Sequence, residues 1–340
     1  MSTSDPIQTI HVEALDPQRY RLGWDHTFTS DPVTIFGGAS PTEIDISRPL
    51  AIGAITTATV LTPTDFSRAY FQLQRADGTG LIVAQRQVLL EGSTNFRDLG
   101  GYAIADGRRV RWGRLFRSGH LSHLTTTGLA QFAALNINTV CDFRLAEERQ
   151  TESAVLPNNP VLETIGIPPG IKDRFFFHRL FATTTDPAVV LDAIHQLLRS
   201  FGRDLAPHFA RMFDVLLNAP EGPLLLNCSA GKERTGIGAA LTLLALGVPR
   251  PTVTYDFMLS KQYFPIASEI DRALEKYTVR ARDRETAVKL IMPLLETRES
   301  YLDAALGAID ERYGSHAAFL SDACGLNAAK RARLRDRYTY

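Results

Sequence analysis

Cysteine is scarce: the 340 residues contain three, at positions 141, 228 and 324. That is too few and too scattered for a disulfide framework or a zinc site. No metal and no cofactor is therefore expected, and the pattern suits a reducing compartment in which a single thiol can stay reactive. An excess of either charge is missing too, since 37 basic and 37 acidic side chains balance. No global field draws the chain to nucleic acid or to an anionic membrane, so any hold on a phosphate has to be local. No run of about eighteen apolar residues occurs, and the start, Met1-Ser-Thr-Ser-Asp-Pro6, has no charged-then-apolar leader. The expectation is a cytoplasmic protein without an integral membrane segment, with export by a leaderless route left open. Repeats, low-complexity tracts and charge blocks are likewise absent. What remains is globular, 44% hydrophobic and 22% charged, and long enough for one large domain or two ordinary ones.

The stretch from Pro223 to Gly236 carries the chemistry. Leu224-Leu225-Leu226-Asn227 reads as a short buried parallel strand. Ile237 to Leu246 reads as a buried helix with Gly247 as its stop. Between them, Cys228-Ser229-Ala230-Gly231-Lys232-Glu233-Arg234-Thr235 forms a loop. A strand–loop–helix joint aims backbone N–H groups and the positive helix end at one point, which suits an oxyanion. In that field Cys228 is the expected nucleophile. Arg234 offers a planar fork for two phosphoryl oxygens, and Gly231 lets the loop bend where a Cβ would obstruct the anion. The hydroxyl of Ser229 or Thr235 can settle the sulfur or assist a second step. The implied reaction is attack on a phosphate ester, a phosphocysteine intermediate, and hydrolysis by water. A nucleotide-binding P-loop fails on spacing, because Leu226 and Glu233 stand where glycine and Ser or Thr would be needed.

Cys228-x5-Arg234 followed by Thr235-Gly236, with Asn95-Phe-Arg-Asp-Leu-Gly-Gly101 upstream, resembles the bacterial PtpB-like tyrosine/lipid phosphatases, an atypical multi-specificity family. The resemblance covers roughly residues 92 to 338 and continues through Arg114-Leu-Phe-Arg-Ser-Gly-His120, Asp142-x-Arg144 and Tyr255-Asp-Phe-Met-Leu-Ser260. It implies a cysteine-phosphatase α/β fold with a central, mostly parallel sheet flanked by helices. Within it, Arg97 or Asp98 is expected to brace the catalytic loop, Asp142 to organise the site, and Arg117 to serve as an ion-pair partner in the scaffold. Two positions depart from the family pattern: Asn227 replaces the usual histidine and Glu233 the usual aspartate. Asn227 can keep a hydrogen bond but brings no charge, so slower turnover is expected rather than inactivity.

The leaving group needs a proton, and a carboxylic acid on a movable loop would supply it. The family carries an aspartate in the region of Pro168-Pro169-Gly170-Ile-Lys-Asp173, where the aligned slot is Gly170. Asp173 is therefore the displaced candidate, and Glu233 its competitor. Lys232 is read as a second cation on the pocket floor, against the plainer reading that it offsets Glu233. Cys141, at the end of the strand Asn138–Phe143, is read as a packed strand cysteine, with a protective disulfide to Cys228 as the sharper possibility.

Residues 1–91 have another texture. Alternating runs at Gln8–Val12, Tyr20–Trp24, Pro32–Phe36, Ile55–Val60, Ala69–Leu73 and Leu81–Leu90, separated by turn residues, predict a small antiparallel sandwich. Tyr20-Arg-Leu-Gly-Trp24 is similar to the opening core strand of fibronectin type III-like modules. Residues 92–340 then form the phosphatase domain, with helical stripes at Thr125–Leu135, Asp186–Phe201 and Leu205–Leu217. Ile266–Tyr277 and Ala281–Leu295 are amphipathic; by resemblance they form a helical lid and lead into the tail. The substrates expected are phosphotyrosine proteins first and phosphoinositides second. The rivals are a phosphate-reading module without turnover and a rhodanese-like sulfur carrier, which lacks the Arg-Thr-Gly that follows here.

Overall fold

The structure, a computed structural model, describes residues 5–63, 68–167, 175–279 and 283–340. Its first strands are β1 (His11–Ala14), β2 (Arg19–Gly23), β3 (Val33–Gly38), β4 (Ala51–Ala54), β5 (Thr57–Leu61), β6 (Tyr70–Gln74) and β7 (Gly80–Ala84). They form two antiparallel sheets, ordered β1-β2-β5 and β4-β3-β6-β7. Alternation decides which face is inward. Tyr20 and Leu22 of β2 meet Val33 and Ile35 of β3 and Phe71 and Leu73 of β6 in one apolar cluster, with the rings of Tyr20 and Phe71 edge to face at 5.1 Å. Trp24 packs in the same cluster.

Two differences from the sequence reading have physical causes. β4 has no alternation and a glycine at its centre, so its pattern is silent; pairing with β3 makes it a strand. The run expected to reach Leu90 leaves the sheet after Ala84, and Arg86 turns inward. Its guanidinium lies over Tyr102 at 4.1 Å and Trp112 at 4.8 Å and donates to the Asp98 carbonyl at 2.8 Å.

The remaining elements mix strands and helices before giving way to helices alone: β8 (Arg97–Asp98), β9 (Leu115–Ser118), α1 (Thr126–Ala134), β10 (Thr139–Asp142), α2 (Ala146–Thr151), β11 (Val161–Thr164), α3 (Phe176–Thr183), α4 (Pro187–Asp204), α5 (Ala206–Asn218), β12 (Leu224–Asn227) and α6 (Glu233–Leu246). There follow α7 (Arg250–Met258), α8 (Ser260–Tyr263), α9 (Ile266–Lys276), α10 (Arg284–Leu295), α11 (Glu299–Tyr313), α12 (His316–Ala318) and α13 (Ala328–Tyr338). The sheet order is β11-β10-β12-β9-β8, parallel except for β8 at the edge.

β12 occupies the middle because both of its faces are apolar. Leu224 and Leu226 enter one hydrophobic cluster and Leu225 the other, the mark of a parallel strand covered on two sides. The reactive cysteine therefore emerges from the centre of the sheet at the carboxyl ends of its strands, where side chains from neighbouring strands converge. Thr125 caps α1, Asp186 caps α4 ahead of Pro187, and Asp283 caps α10, each through its side chain. A single apolar cluster runs from the sandwich, through Leu99, Tyr102 and Trp112, into the helices packed on the parallel sheet.

Candidate active site

Cys228 directly follows β12, and α6 begins five residues later. The Sγ accepts the Gly231 N–H at 3.2 Å. That is the sole acceptor among the described residues for the loop's N–H groups from Ser229 to Arg234. The free N–H groups, together with the start of the fourteen-residue helix α6, make a cradle for an anion. Gly231 is required twice over. Its φ is +68°, and a Cβ there would lie 2.4 Å from the Gly119 nitrogen and 2.5 Å from the Ser118 carbonyl carbon. At Gly236 a Cβ would fall 2.7 Å from the Phe257 ring, so the turn into α6 sits hard against α7.

Arg234 is held along one edge. Its two terminal nitrogens donate to Glu148 of α2 at 2.7 and 2.8 Å, and Nη1 also reaches the Ile167 carbonyl at 3.2 Å. Nη2 also donates to Ser229 Oγ at 3.3 Å, while Nε donates to nothing among the described residues, which leaves Nε as the guanidinium donor open to an oxyanion. Ser229 Oγ donates to Glu148 at 3.0 Å rather than to the sulfur. Burial opposes the charge on Glu148, but the Arg234 fork overcomes it and holds the carboxyl at about 2. Sequence reading missed Glu148 as a site residue; it lies in the charged run Ala146-Glu-Glu-Arg149, which the spacing of the catalytic loop cannot relate to Arg234.

Asp142 sets the turn that delivers Glu148. Its carboxylate accepts three side-chain bonds from Arg144, at 2.9 to 3.1 Å, and the Arg144 N–H at 2.9 Å. Arg149 then closes the turn on the Arg144 carbonyl at 2.6 Å. Beneath the loop lies a wholly buried cluster. Arg117 donates to the Gly231 carbonyl at 2.8 Å and to Asp256 at 2.7 Å. Asn95 donates to Gly231 O at 2.9 Å and to Ser260 Oγ at 3.2 Å. Arg97 binds Asp256, Ser260 and the Asn95 amide oxygen. Burial would raise the Asp256 carboxyl, but the arginines bring it down to about 2. Burial, with Arg97 nearby, lowers Arg117 to about 10. Two guanidiniums against one carboxylate leave net positive charge under the cradle, which favours a bound anion.

The other expected residues lie as follows. Asp98 is turned away from the loop: it accepts from Gly100 and Gly113 N–H, both at 2.7 Å, and pairs with Arg68 at 2.9 Å. The Asn227 amide is fully buried with neither polar atom bonded among the described residues, so it does not supply the hydrogen bond expected in place of the histidine's. Thr235 Oγ1 likewise has no partner among the described residues. Lys232 keeps its backbone in the cradle, but its ammonium points to the carbonyls of Leu294, Leu295 and Glu296 at 2.9, 2.5 and 3.0 Å, so the second cation expected on the pocket floor is directed elsewhere. Glu233 stands 3.3 Å from that ammonium. Ala230 contributes its backbone alone. Asp173 lies outside the described residues. Cys141 and Cys228 are both free thiols, and burial, with Asp142 beside it, pushes the Cys141 thiol far up, the state of a packed cysteine.

The tyrosine phosphatase family's sequence profile matches residues 88–340. A Cupriavidus necator protein carrying the name of a tyrosine-protein phosphatase is 32% identical over 270 residues, 77% of this chain and 93% of that protein. The triple specificity protein phosphatase PtpB of Mycobacterium tuberculosis is 30% identical over 275 residues, 72% of this chain and 96% of that one. Among solved structures, P. aeruginosa TpbA aligns at 18% identity over 44% of this chain and 71% of its own, with a TM-score of 0.23. No helix among the described residues is long and apolar enough to cross a membrane. The chain belongs to the tyrosine phosphatase family and is a phosphoric monoester hydrolase.

Proposed function

We propose that the protein dephosphorylates phosphotyrosine in proteins through a phosphocysteine intermediate, with phosphoinositides as a second substrate class. What supports this is the cradle itself: the Cys228 sulfur beside loop N–H groups that, Gly231 apart, have no acceptor among the described residues, with Arg234 pinned by Glu148 and Ser229 and its Nε open. In the first step the Cys228 thiolate forms the S–P bond as the ester P–O bond breaks, and the leaving oxygen takes a proton from Asp173 or Glu233. In the second, water attacks phosphorus and gives a proton back to that carboxylate, the S–P bond breaks and the thiolate returns. Arg234 and the N–H groups stabilise the charge that develops on the equatorial oxygens. The name of the M. tuberculosis relative supports a site that accepts more than one kind of phosphoester. Three free cysteines support a reducing, cytoplasmic setting.

The test is hydrolysis of p-nitrophenyl phosphate, a phosphotyrosine peptide and a phosphoinositide across pH, by wild type, Cys228→Ser, Asp173→Asn and Glu233→Gln. Cys228→Ser is expected to abolish turnover while still binding phosphate. The carboxylate whose removal erases the acid-dependent limb for the peptide, but spares the better leaving group p-nitrophenolate, is the proton donor. Turnover that survives Cys228→Ser would sink the reading.

A further inference from the structure

Lys232 sits in the catalytic loop, but its ammonium is directed to the end of α10. It is 2% exposed, and its Nζ makes three hydrogen bonds, to the carbonyls of Leu294, Leu295 and Glu296. An ammonium has three donors, so none is left over for a phosphate. Phe264 lies under the same nitrogen at 4.8 Å, and Glu233 flanks it at 3.3 Å.

The acceptors are the orphan carbonyls at the end of α10, a helix end that must be satisfied from outside. The account closes without remainder. The Met292 carbonyl takes the Glu296 N–H at 2.9 Å and the Pro293 carbonyl takes the Tyr301 hydroxyl at 2.5 Å; Lys232 takes the next three. A cation at the negative end of a helix is also well placed electrostatically. Lys232 is at the same time the residue immediately before α6, so its own N–H belongs to the anion cradle.

We infer that Lys232 is a positioning residue, a strut that fixes the catalytic loop against the C-terminal end of α10, rather than a contact to substrate. The inference rests on the phosphatase reading above and assigns its lysine a different task. Without the strut, three carbonyls, that of Leu295 buried and those of Leu294 and Glu296 partly so, lose their donor, the end of α10 loosens, and the N–H groups of Lys232 and Glu233 lose their aim. Misaimed donors slow the chemical step for every substrate alike, whereas a lost ligand contact weakens binding of the most highly charged substrate first.

The experiment compares wild type, Cys228→Ser, Lys232→Met and Tyr301→Phe, using a phosphotyrosine peptide and a phosphoinositide, together with hydrogen exchange on the intact chain. Lys232→Met is expected to lower kcat by about tenfold or more on both substrates, with KM held within about twofold. Amide exchange is expected to rise at the end of α10 and, with inorganic phosphate bound as acceptor, across Ser229–Glu233. Tyr301→Phe, which keeps the lysine and removes its neighbouring cap, is expected to give the same pattern at about threefold in kcat; it carries the test if Lys232→Met does not fold. A KM that rises selectively for the phosphoinositide, with kcat and exchange unchanged, overturns the inference. If wild type shows no Cys228-dependent turnover, the phosphatase reading fails by itself. The strut then stands or falls on exchange alone, and unchanged protection of the end of α10 in Lys232→Met removes it.

Discussion

Glu148 and Arg234 show how much of this site depends on a single pairing. An arginine in the first turn of α6 has several rotamers open to it, each presenting its fork differently. The carboxylate takes both terminal nitrogens at 2.7 and 2.8 Å and so leaves one orientation. Glu148→Gln keeps the shape but cannot pair with both nitrogens as an ionised acceptor. We expect kcat to fall by about tenfold to a hundredfold, with the fold retained, because a small misplacement of a catalytic group costs on that scale; steady-state kinetics with circular dichroism checks it. The same pair has an acid signature. Glu148 sits at about 2 in the folded chain against an ordinary 4.5. A depressed carboxyl contributes stability that is complete above the unfolded value and is lost as pH falls toward the folded one. The stability gap between wild type and Glu148→Gln should therefore be full near neutrality and shrink between about pH 5 and about pH 2. A gap independent of pH would mean that the pair does not hold in solution.

At the scale of elements, the catalytic loop is a bridge between a strand end and a helix start, and its neighbours leave it no slack. Gly231 packs against the Ser118–Gly119 backbone while Arg117 and Asn95 hold its carbonyl from below. Gly231→Ala would add left-handed strain of about 1–3 kcal/mol to a contact with backbone that cannot move aside. The expected outcome is loss of nearly all turnover and of phosphate binding, read by calorimetric titration, with a melting temperature lowered by only a few degrees. Retained phosphate affinity would show that the loop can relax. The loop was legible in the sequence because Cys228, Gly231 and Arg234 are contiguous and their spacing is itself the geometry. The parallel strands and most helices were legible for a related reason: Leu224–Leu226 and the capped stripe after Asp186 state their environment locally. Glu148, Asp256 and Ser260 were not legible as site residues, since each reaches the loop through a tertiary approach that no local period records. Lys232 shows the limit from the other side. Its place in the loop suggested a phosphate contact, but the direction of its side chain is decided by an unpaired helix end sixty residues away.

For the whole molecule, the question is whether 1–91 and 92–340, distinct in texture, are distinct in folding. We propose that they unfold together. The apolar cluster of the sandwich continues without a break into the catalytic half, and the polar ties between them are specific. Arg68 pairs with the buried Asp98 at 2.9 Å, the Trp112 indole donates to the Ile82 carbonyl at 3.0 Å, and Asp5 takes Arg109 at 2.9 Å and the Ala103 N–H at 2.7 Å. Arg86 continues the tie inward, stacked on Tyr102, whose hydroxyl donates to Asp256 at 3.1 Å; Asp256 holds Arg117, and Arg117 holds the catalytic loop. Removing residues 1–91 would strand Asp98 without Arg68 and expose the face that packs on the sandwich. An uncompensated buried charge alone costs about 3–5 kcal/mol, a large part of the 5–15 kcal/mol that typically stabilises a domain. The fragment 92–340 is therefore expected not to fold stably, and the full chain to melt in one calorimetric transition. In the full chain, Arg68→Ala should lower both that transition and kcat although Arg68 touches neither Cys228 nor Arg234. Two separate transitions, or a fragment with wild-type kcat, would show that the sandwich is an attachment and that the line from Arg86 to Gly231 transmits nothing.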